Sequence, residues 1–284
     1  MTRYSAIFDR LSQSGEGAFG AFLMLGDPDL ATSAVLLDAL VEGGADMIEV
    51  GIPFTDPIAD GPVIQAAANR ALKTGVRVDD CFELLAGFRR RHPAIPVGIL
   101  TYANLLAARG RDRFCVDAAA AGVDSLLVAD VPALEAQPYA AAARAAGVDL
   151  VMVAAPNTPG QTLTHIARLN SGYTYCVART GVTGVQDQLL LDHQRLFADL
   201  KRLGAPPAIL GFGISTPDHV RGAMAAGAAG VISGSAIVRL AIESGSPDCV
   251  ANFVAGMKAA TRPSSRKVFA DIHAKQEAAG SIPC

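Results

Sequence analysis

Eight short apolar runs, many of their residues β-branched, punctuate this chain at residues 19–23, 47–50, 97–100, 125–129, 150–154, 173–177, 208–212 and 230–233. They are apolar on consecutive positions, not on alternate ones, and a strand of that kind is stable only with both faces covered. Parallel strands packed under helices meet this condition, so the intervening segments should be helical. Leu30, Ala34, Leu37 and Val41 recur at three- or four-residue spacing, as do Phe82, Leu85 and Phe88, each forming one apolar helix face. Asp27-Pro28 and Thr216-Pro217 pair a capping residue with a proline at a position where its missing N–H costs nothing, and are predicted to open helices.

A phrase also repeats before four of the runs: Gly43-Gly44-Ala45-Asp46, Ala121-Gly122-Val123-Asp124, Ala146-Gly147-Val148-Asp149 and Ala226-Gly227-Ala228-Ala229. Each places a glycine where a helix ends and the next strand begins. Eight β-then-α units of about 35 residues match an α/β fold of the (β/α)8 TIM-barrel type, typically ~250 residues. A doubly wound open sheet has the same local pattern, and the unit count is what favours the barrel. Tyr4, Ile7, Phe8 and Leu11 share one helical face, predicting an extra N-terminal helix across the barrel floor. Residues 1–262 then form one domain, and residues 263–284 a C-terminal extension beyond the eighth unit.

Composition narrows the function classes. With 51% apolar and 18% charged residues, the chain has ample material for a core and is not disordered. Its net charge is −3, and its basic residues are scattered except for Arg89-Arg90-Arg91, so no extended basic face awaits nucleic acid. The five cysteines, Cys81, Cys115, Cys176, Cys249 and Cys284, are widely spaced and lack metal-ligand spacing, reading as free thiols in a reducing compartment, with no metal site. Asp9 and Arg10 interrupt any N-terminal secretory stretch, and no apolar run approaches the ~20 residues of a membrane helix. A cytoplasmic protein without membrane contact is the expectation.

In a parallel barrel the reactive face is built from the loops after each strand, so polar residues at strand ends are the informative ones. Glu49 sits within Met47-Ile48-Glu49-Val50-Gly51-Ile52-Pro53, a run that would expel a carboxylate lacking a use for it. A salt bridge to a neighbouring helix is the structural alternative. Asp56 and Asp60 follow in a Pro/Gly-rich loop, and Asp60 taken alone reads as the cap of the helix starting near Val63. Beside Glu49, however, it supplies the second carboxylate that acid/base chemistry uses. Gly211-Phe212-Gly213-Ile214-Ser215 and Ser233-Gly234-Ser235 end the last two strands, where barrels bind phosphate through backbone N–H groups. The segment Arg179-Thr180-Gly181-Val182-Thr183-Gly184-Val185-Gln186 has the polarity and glycine content of a lid, or of an ordinary loop. The five histidines fit no catalytic triad and are expected in the core or on the surface.

These phrases, with Leu25-Gly26-Asp27-Pro28, the long stretch from Ile48 through Pro62, Thr180-Gly181-Val182-Thr183-Gly184, Gly211-Phe212-Gly213-Ile214-Ser215-Thr216-Pro217 and Ile232-Ser233-Gly234-Ser235-Ala236, closely resemble the tryptophan synthase α-subunit family. The resemblance spans residues 4–262. It implies a carbon–carbon lyase of tryptophan biosynthesis that cleaves indole-3-glycerol phosphate to indole and glyceraldehyde 3-phosphate with no cofactor in this subunit. By the family pattern Glu49 is the main acid/base and Asp60 accepts the indole N–H. Burial of Glu49 among Phe22, Leu100, Leu127 and Tyr175 is expected to raise its pKa.

The same matching gives phosphate binding to Gly184, Phe212, Gly213, Gly234 and Ser235. Phe22, Ile64, Leu100, Leu127, Tyr175 and Ile232 would enclose the indole ring, and Arg179, Thr180, Gly181 and Thr183 form the lid, with Thr183 reaching Asp60 on closure. Family members work as αββα complexes in which a pyridoxal-phosphate-containing β-subunit receives the indole. Pro53 to Pro57, with Asp56 among them, Tyr102-Ala103-Asn104-Leu105 and Pro132 match the partner-contacting loops. Met24 departs from the family, which often has threonine there. A stand-alone lyase, a silent scaffold for a β-subunit and a generic phosphosugar isomerase remain as alternative readings.

Overall fold

In the computed structural model, which describes residues 2–177 and 186–263, the apolar runs pair into one all-parallel sheet. Its strands are β1 (Ala18–Met24), β2 (Met47–Gly51), β3 (Val97–Thr101), β4 (Ser125–Val128), β5 (Asp149–Leu150), β6 (Met152–Ala154), β7 (Thr174–Val177), β8 (Ala208–Gly211) and β9 (Gly230–Ser233). β5 and β6 are halves of one run, parted only at Val151, whose N–H still donates to the Leu126 carbonyl of β4. The order β5-β4-β3-β2-β1-β9-β8-β7-β6 therefore ends on the run where it began, and the eight predicted runs close a nearly complete barrel. Because β5 pairs with β4 and β6 with β7 while the two belong to one run, the ends of that order meet, which excludes the open-sheet alternative with its two free edges.

Around the barrel lie α1 (Arg3–Ser14), α2 (Leu30–Glu42), α3 (Pro62–Lys73), α4 (Val78–Arg91), α5 (Ala103–Arg109), α6 (Arg111–Ala120), α7 (Gln137–Ala145), α8 (Gly160–Leu169), α9 (Gln186–Arg202), α10 (Pro217–Ala225), α11 (Ser235–Ser244) and α12 (Pro247–Ala259). Every residue of β1 and β2 is buried, as their unbroken apolarity requires. None of the described helices is long and apolar enough to cross a membrane.

The repeated phrase has a two-part structural meaning. Gly44, Gly122, Gly147 and Gly227 all adopt positive φ, between 75° and 95°, reversing the chain after a helix. The aspartates that follow two of them brace strand starts. Asp46 accepts the Phe19 N–H and pairs with Arg10 and Lys258 at 2.9 and 2.8 Å. Asp124 accepts the Val97 N–H and pairs with Arg3 and Arg89, both at 2.7 Å. Arg89 also donates to the carbonyls of Gly122 and Ile95, and Arg91 pairs with Asp38, so two members of the arginine cluster serve the fold.

Thr216 caps α10 as expected, its Oγ1 accepting the His219 N–H. Asp27 does not cap α2: Asp29 does, by accepting the Thr32 N–H. Asp27 is instead buried and receives two hydrogen bonds from Arg70 of α3, at 2.7 and 2.8 Å. A charge-assisted bidentate pair satisfies a buried carboxylate better than one backbone amide does, and it ties the loop after β1 to α3.

α1 closes the barrel floor through buried Tyr4, Ile7 and Leu11. The Tyr4 hydroxyl lies 2.8 Å from Ser125 Oγ, and its ring centroid is 5.3 Å from that of Tyr173. Gly98 makes room for this cluster: a Cβ there would come within 2.5 Å of Ser125 Oγ and 3.1 Å of Tyr4 Oη.

Candidate active site

The C-terminal ends of the strands enclose a cavity of about 290 Å³. Glu49, the third residue of β2, is registered against Phe22 of β1 and Gly98 of β3 and is only 2% exposed. Its Oε1 accepts a 3.0 Å hydrogen bond from the Tyr173 hydroxyl. Burial strips water from the carboxylate and the nearby Asp60 charge repels it, while the Tyr173 hydrogen bond stabilises the ionised form. The net effect pushes the Glu49 pKa up to about 7. Among the described residues no ion pair involves Glu49, so the salt-bridged alternative does not hold.

Asp60 lies in the loop between β2 and α3. The cap of α3 is Gly61, with Pro62 in the first turn, so the Asp60 side chain is left for the cavity. Burial raises its pKa, opposed by a hydrogen bond from the Tyr102 hydroxyl. Tyr102 also accepts the Ala59 N–H at 3.2 Å and stacks on Phe54 with centroids 5.3 Å apart, pinning this loop over the barrel. Asp56 points to solvent, its carboxylate accepting from the Thr55 hydroxyl.

Phe22, Ile64, Leu100, Tyr175 and Ile232 line the same cavity as the two carboxylates. Leu127 does not line it; with Leu100 and Tyr175 it borders an adjoining recess of about 190 Å³. Phe212, Gly213, Gly234 and Ser235, from the segments after β8 and β9, complete the rim of the main cavity. There the chain turns through positive φ at Phe212 (64°) and Gly213 (76°), a conformation costly for a side-chain-bearing residue and found where a fold needs a particular backbone presentation. Met24 is buried, and a Cβ on Gly51 would meet its Cε at 2.8 Å; it packs on β2 two residues past Glu49.

Arg179, Thr180, Gly181, Thr183 and Gly184 lie outside the described residues. Asp56, Asn104 and Pro132 are exposed in the segments that follow β2, β3 and β4, with Pro57 and Leu105 half-buried and Pro53 buried. Ile58 (81% exposed) and Leu134 (76%) stand in the same segments, an apolar pair that sequence reasoning passed over. No described histidine borders the cavity; His92, for instance, pairs with Asp38 at 2.8 Å. Cys81, Cys115 and Cys176 are buried free thiols, and burial pushes their pKa values up to about 12, 11 and 12. Among the described residues no cluster of three His, Cys, Asp or Glu is placed to hold a metal ion.

Sequence reasoning missed two residues at this site, Tyr173 and Arg239, the latter lining the cavity beside Ser235, and it has Tyr102 only among the partner-contacting loops. Tyr173 was accessible through strand alternation, since residues 173 and 175 share one face. The contact of Tyr102 with Asp60 had no local signal. Replacing Tyr173 with phenylalanine removes the one hydrogen bond that a described residue gives to Glu49. The Glu49 titration, followed by carboxyl carbon NMR, is expected to move up by about one to two pH units, since a hydrogen bond to a charged group contributes roughly 1.5–3 kcal/mol. An unmoved titration would show that the bond does not form in solution.

A protein-family model described as tryptophan synthase alpha chain matches residues 8–262. The tryptophan synthase alpha chain of Aeromonas hydrophila is 51% identical over 267 residues, covering 92% of this chain and 99% of that protein. That of Shewanella amazonensis is 48% identical, covering 92% of this chain and all of the other. The crystal structure of tryptophan synthase subunit alpha from Legionella pneumophila superposes with a TM-score of 0.84 at 28% identity, covering 92% of this chain and 98% of that one. A barrel whose mouth joins two carboxylates, an apolar cavity and a glycine-built rim, matched over nearly its whole length by these relatives, belongs to the tryptophan synthase alpha chain family.

Proposed function

We propose that this chain cleaves indole-3-glycerol phosphate to indole and glyceraldehyde 3-phosphate, with Glu49 carrying the proton and Asp60 holding the indole nitrogen. The observation that carries the assignment of roles is the contrast between the two carboxyls in one cavity: Glu49 fully enclosed with a pKa near 7, Asp60 at the partly open edge. Protonated Glu49 delivers its proton to indole C3, and the positive charge that develops on the ring is stabilised by ionised Asp60 at the ring N–H. The Glu49 carboxylate then takes the proton of the hydroxyl on the carbon attached to C3. The carbon–carbon bond breaks, its electron pair restores the aromatic ring, and the hydroxyl carbon becomes the aldehyde. Glu49 ends protonated, ready for the next turn, so the side chains close the proton cycle without a cofactor in this subunit.

Phe22, Ile64, Leu100, Tyr175 and Ile232 hold the indole ring, and the adjoining recess bordered by Leu127 extends that apolar space. Backbone N–H groups at Phe212, Gly213, Gly234 and Ser235 receive the phosphate, where the dipole of α11 favours negative charge. In the cytoplasm the chain pairs with a pyridoxal-phosphate-containing β-subunit in an αββα assembly, to which the indole passes. The segments bearing Asp56, Pro57, Asn104, Leu105 and Pro132 face that partner, with buried Pro53 supporting the first of them. Exposed Ile58 and Leu134 supply the apolar surface a protein interface uses.

The test is indole release from indole-3-glycerol phosphate by the purified chain, with and without a β-subunit. Slow release that the partner accelerates supports the full reading. Fast release unaffected by the partner supports a stand-alone lyase, and no release under either condition overturns the proposal.

A further inference from the structure

The rim that accepts phosphate in this reading contains one charged side chain with no assigned role. Arg239 lines the cavity together with Gly213, Gly234 and Ser235, and among the described residues it is the only basic one that does so; the other ionisable side chains described there are Glu49, Asp60 and the phenol of Tyr175. Among the described residues it has no hydrogen-bond or ion-pair partner, whereas Arg70, Arg89 and Arg109 are each tied to an aspartate. Its place on the helix explains how an exposed residue reaches the cavity. Arg239 follows Ser235 by four residues in α11, so the two share one helix face. Helical side chains lean back towards the N-terminus, which carries the guanidinium over the first turn, where Gly234 and Ser235 border the cavity.

We propose that Arg239 reads the phosphate of the substrate, as a specificity and positioning residue. This rests on the cavity being the indole-glycerol-phosphate site. A phosphate monoester carries about −1.5 to −2 charges at pH 7, and it must enter a cavity whose described lining holds two carboxyl groups, Glu49 and Asp60. A helix N-terminus offers roughly half a positive charge. A guanidinium adds a full charge and two parallel donors matched to phosphate oxygens. The capping glycine has no side chain to compete for that position, Gly234 making no side-chain cap bond in α11.

The experiment compares two probes on the full chain and on Arg239→Gln and Arg239→Lys: indole-3-propanol phosphate, which lacks the hydroxyl needed for cleavage, and phosphate-free indole-3-propanol. Arg239→Gln is expected to weaken the phosphorylated probe about tenfold, the scale of one charge-assisted contact at a partly open site. Indole-3-propanol should bind unchanged, and Arg239→Lys should recover part of the loss. Binding of the phosphorylated probe should also fall with added salt more steeply in wild type than in Arg239→Gln. In turnover the loss should appear in KM with kcat preserved.

Equal weakening of both probes, or none of either, overturns the role of Arg239 while leaving the site intact. A wild-type chain that binds neither probe overturns the proposed function and this inference with it. Because Arg239 is exposed and bonded to no described residue, the variants should unfold at the wild-type temperature, which excludes a folding defect as the cause.

Discussion

Glu49→Gln is expected to slow indole release by about 10²–10⁴-fold, the range associated with losing a positioned proton donor and acceptor. Glutamine has the same shape and still accepts a hydrogen bond from Tyr173, but it transfers no proton in either direction. KM should change little, because the substitution keeps the side chain's shape and leaves the backbone groups proposed for phosphate in place. Asp60→Asn should have the smaller effect, since an amide oxygen still accepts the indole N–H and only the charge is lost. Stability separates a chemical role from a structural one. A carboxyl whose pKa is raised in the folded state, here to about 7 against about 4.3 unfolded, stabilises the fold relatively below pH 4.3 and loses that contribution as pH climbs to 7. Glutamine has no such penalty, so Glu49→Gln should gain in stability against wild type between pH 5 and pH 8. A variant that loses both activity and stability across this range would make Glu49 a structural group.

The same physics explains what could be read from the sequence. Barrel strands announce themselves because burial on both faces leaves no room for polar residues; even the split of the fifth run at Val151 does not disturb its identity. Glu49 stands out by the same logic, as a carboxylate in a run that tolerates none. Asp27 misled because capping is judged from neighbours in sequence, whereas its partner Arg70 is 43 residues away. The roles of Tyr102 and Tyr173 stayed hidden for a related reason: Tyr173 reads as core and Tyr102 as part of a partner-contacting loop, and only the closed barrel brings their hydroxyls to Asp60 and Glu49. Matching residue by residue groups Leu127 with the other indole-pocket residues but does not show that the space has two compartments, the cavity and the adjoining recess that Leu127 borders.

Gly211→Ala tests whether the cavity shape itself governs function. Gly211 ends β8, registered against Val177, and a Cβ there would overlap the hydroxyl and ring of Tyr175. Tyr175 is confined by other rings, its centroid 6.5 Å from that of Tyr173 and 5.9 Å from that of Phe212. The open directions are the cavity and the recess that Tyr175 borders, which are the space proposed for indole. The added methyl should therefore cost about 1–3 kcal/mol of stability, as overpacking commonly does, and raise KM for indole-3-glycerol phosphate about tenfold or more. Inorganic phosphate, binding at the rim alone, should inhibit as in wild type. Removing the ring relieves the overlap: in a double-variant cycle with Tyr175→Ala, the destabilisation by Gly211→Ala should nearly vanish, a coupling of about 1–3 kcal/mol. Additive losses would mean that the methyl acts through the β8 backbone, and that Tyr175 does not transmit it to the cavity.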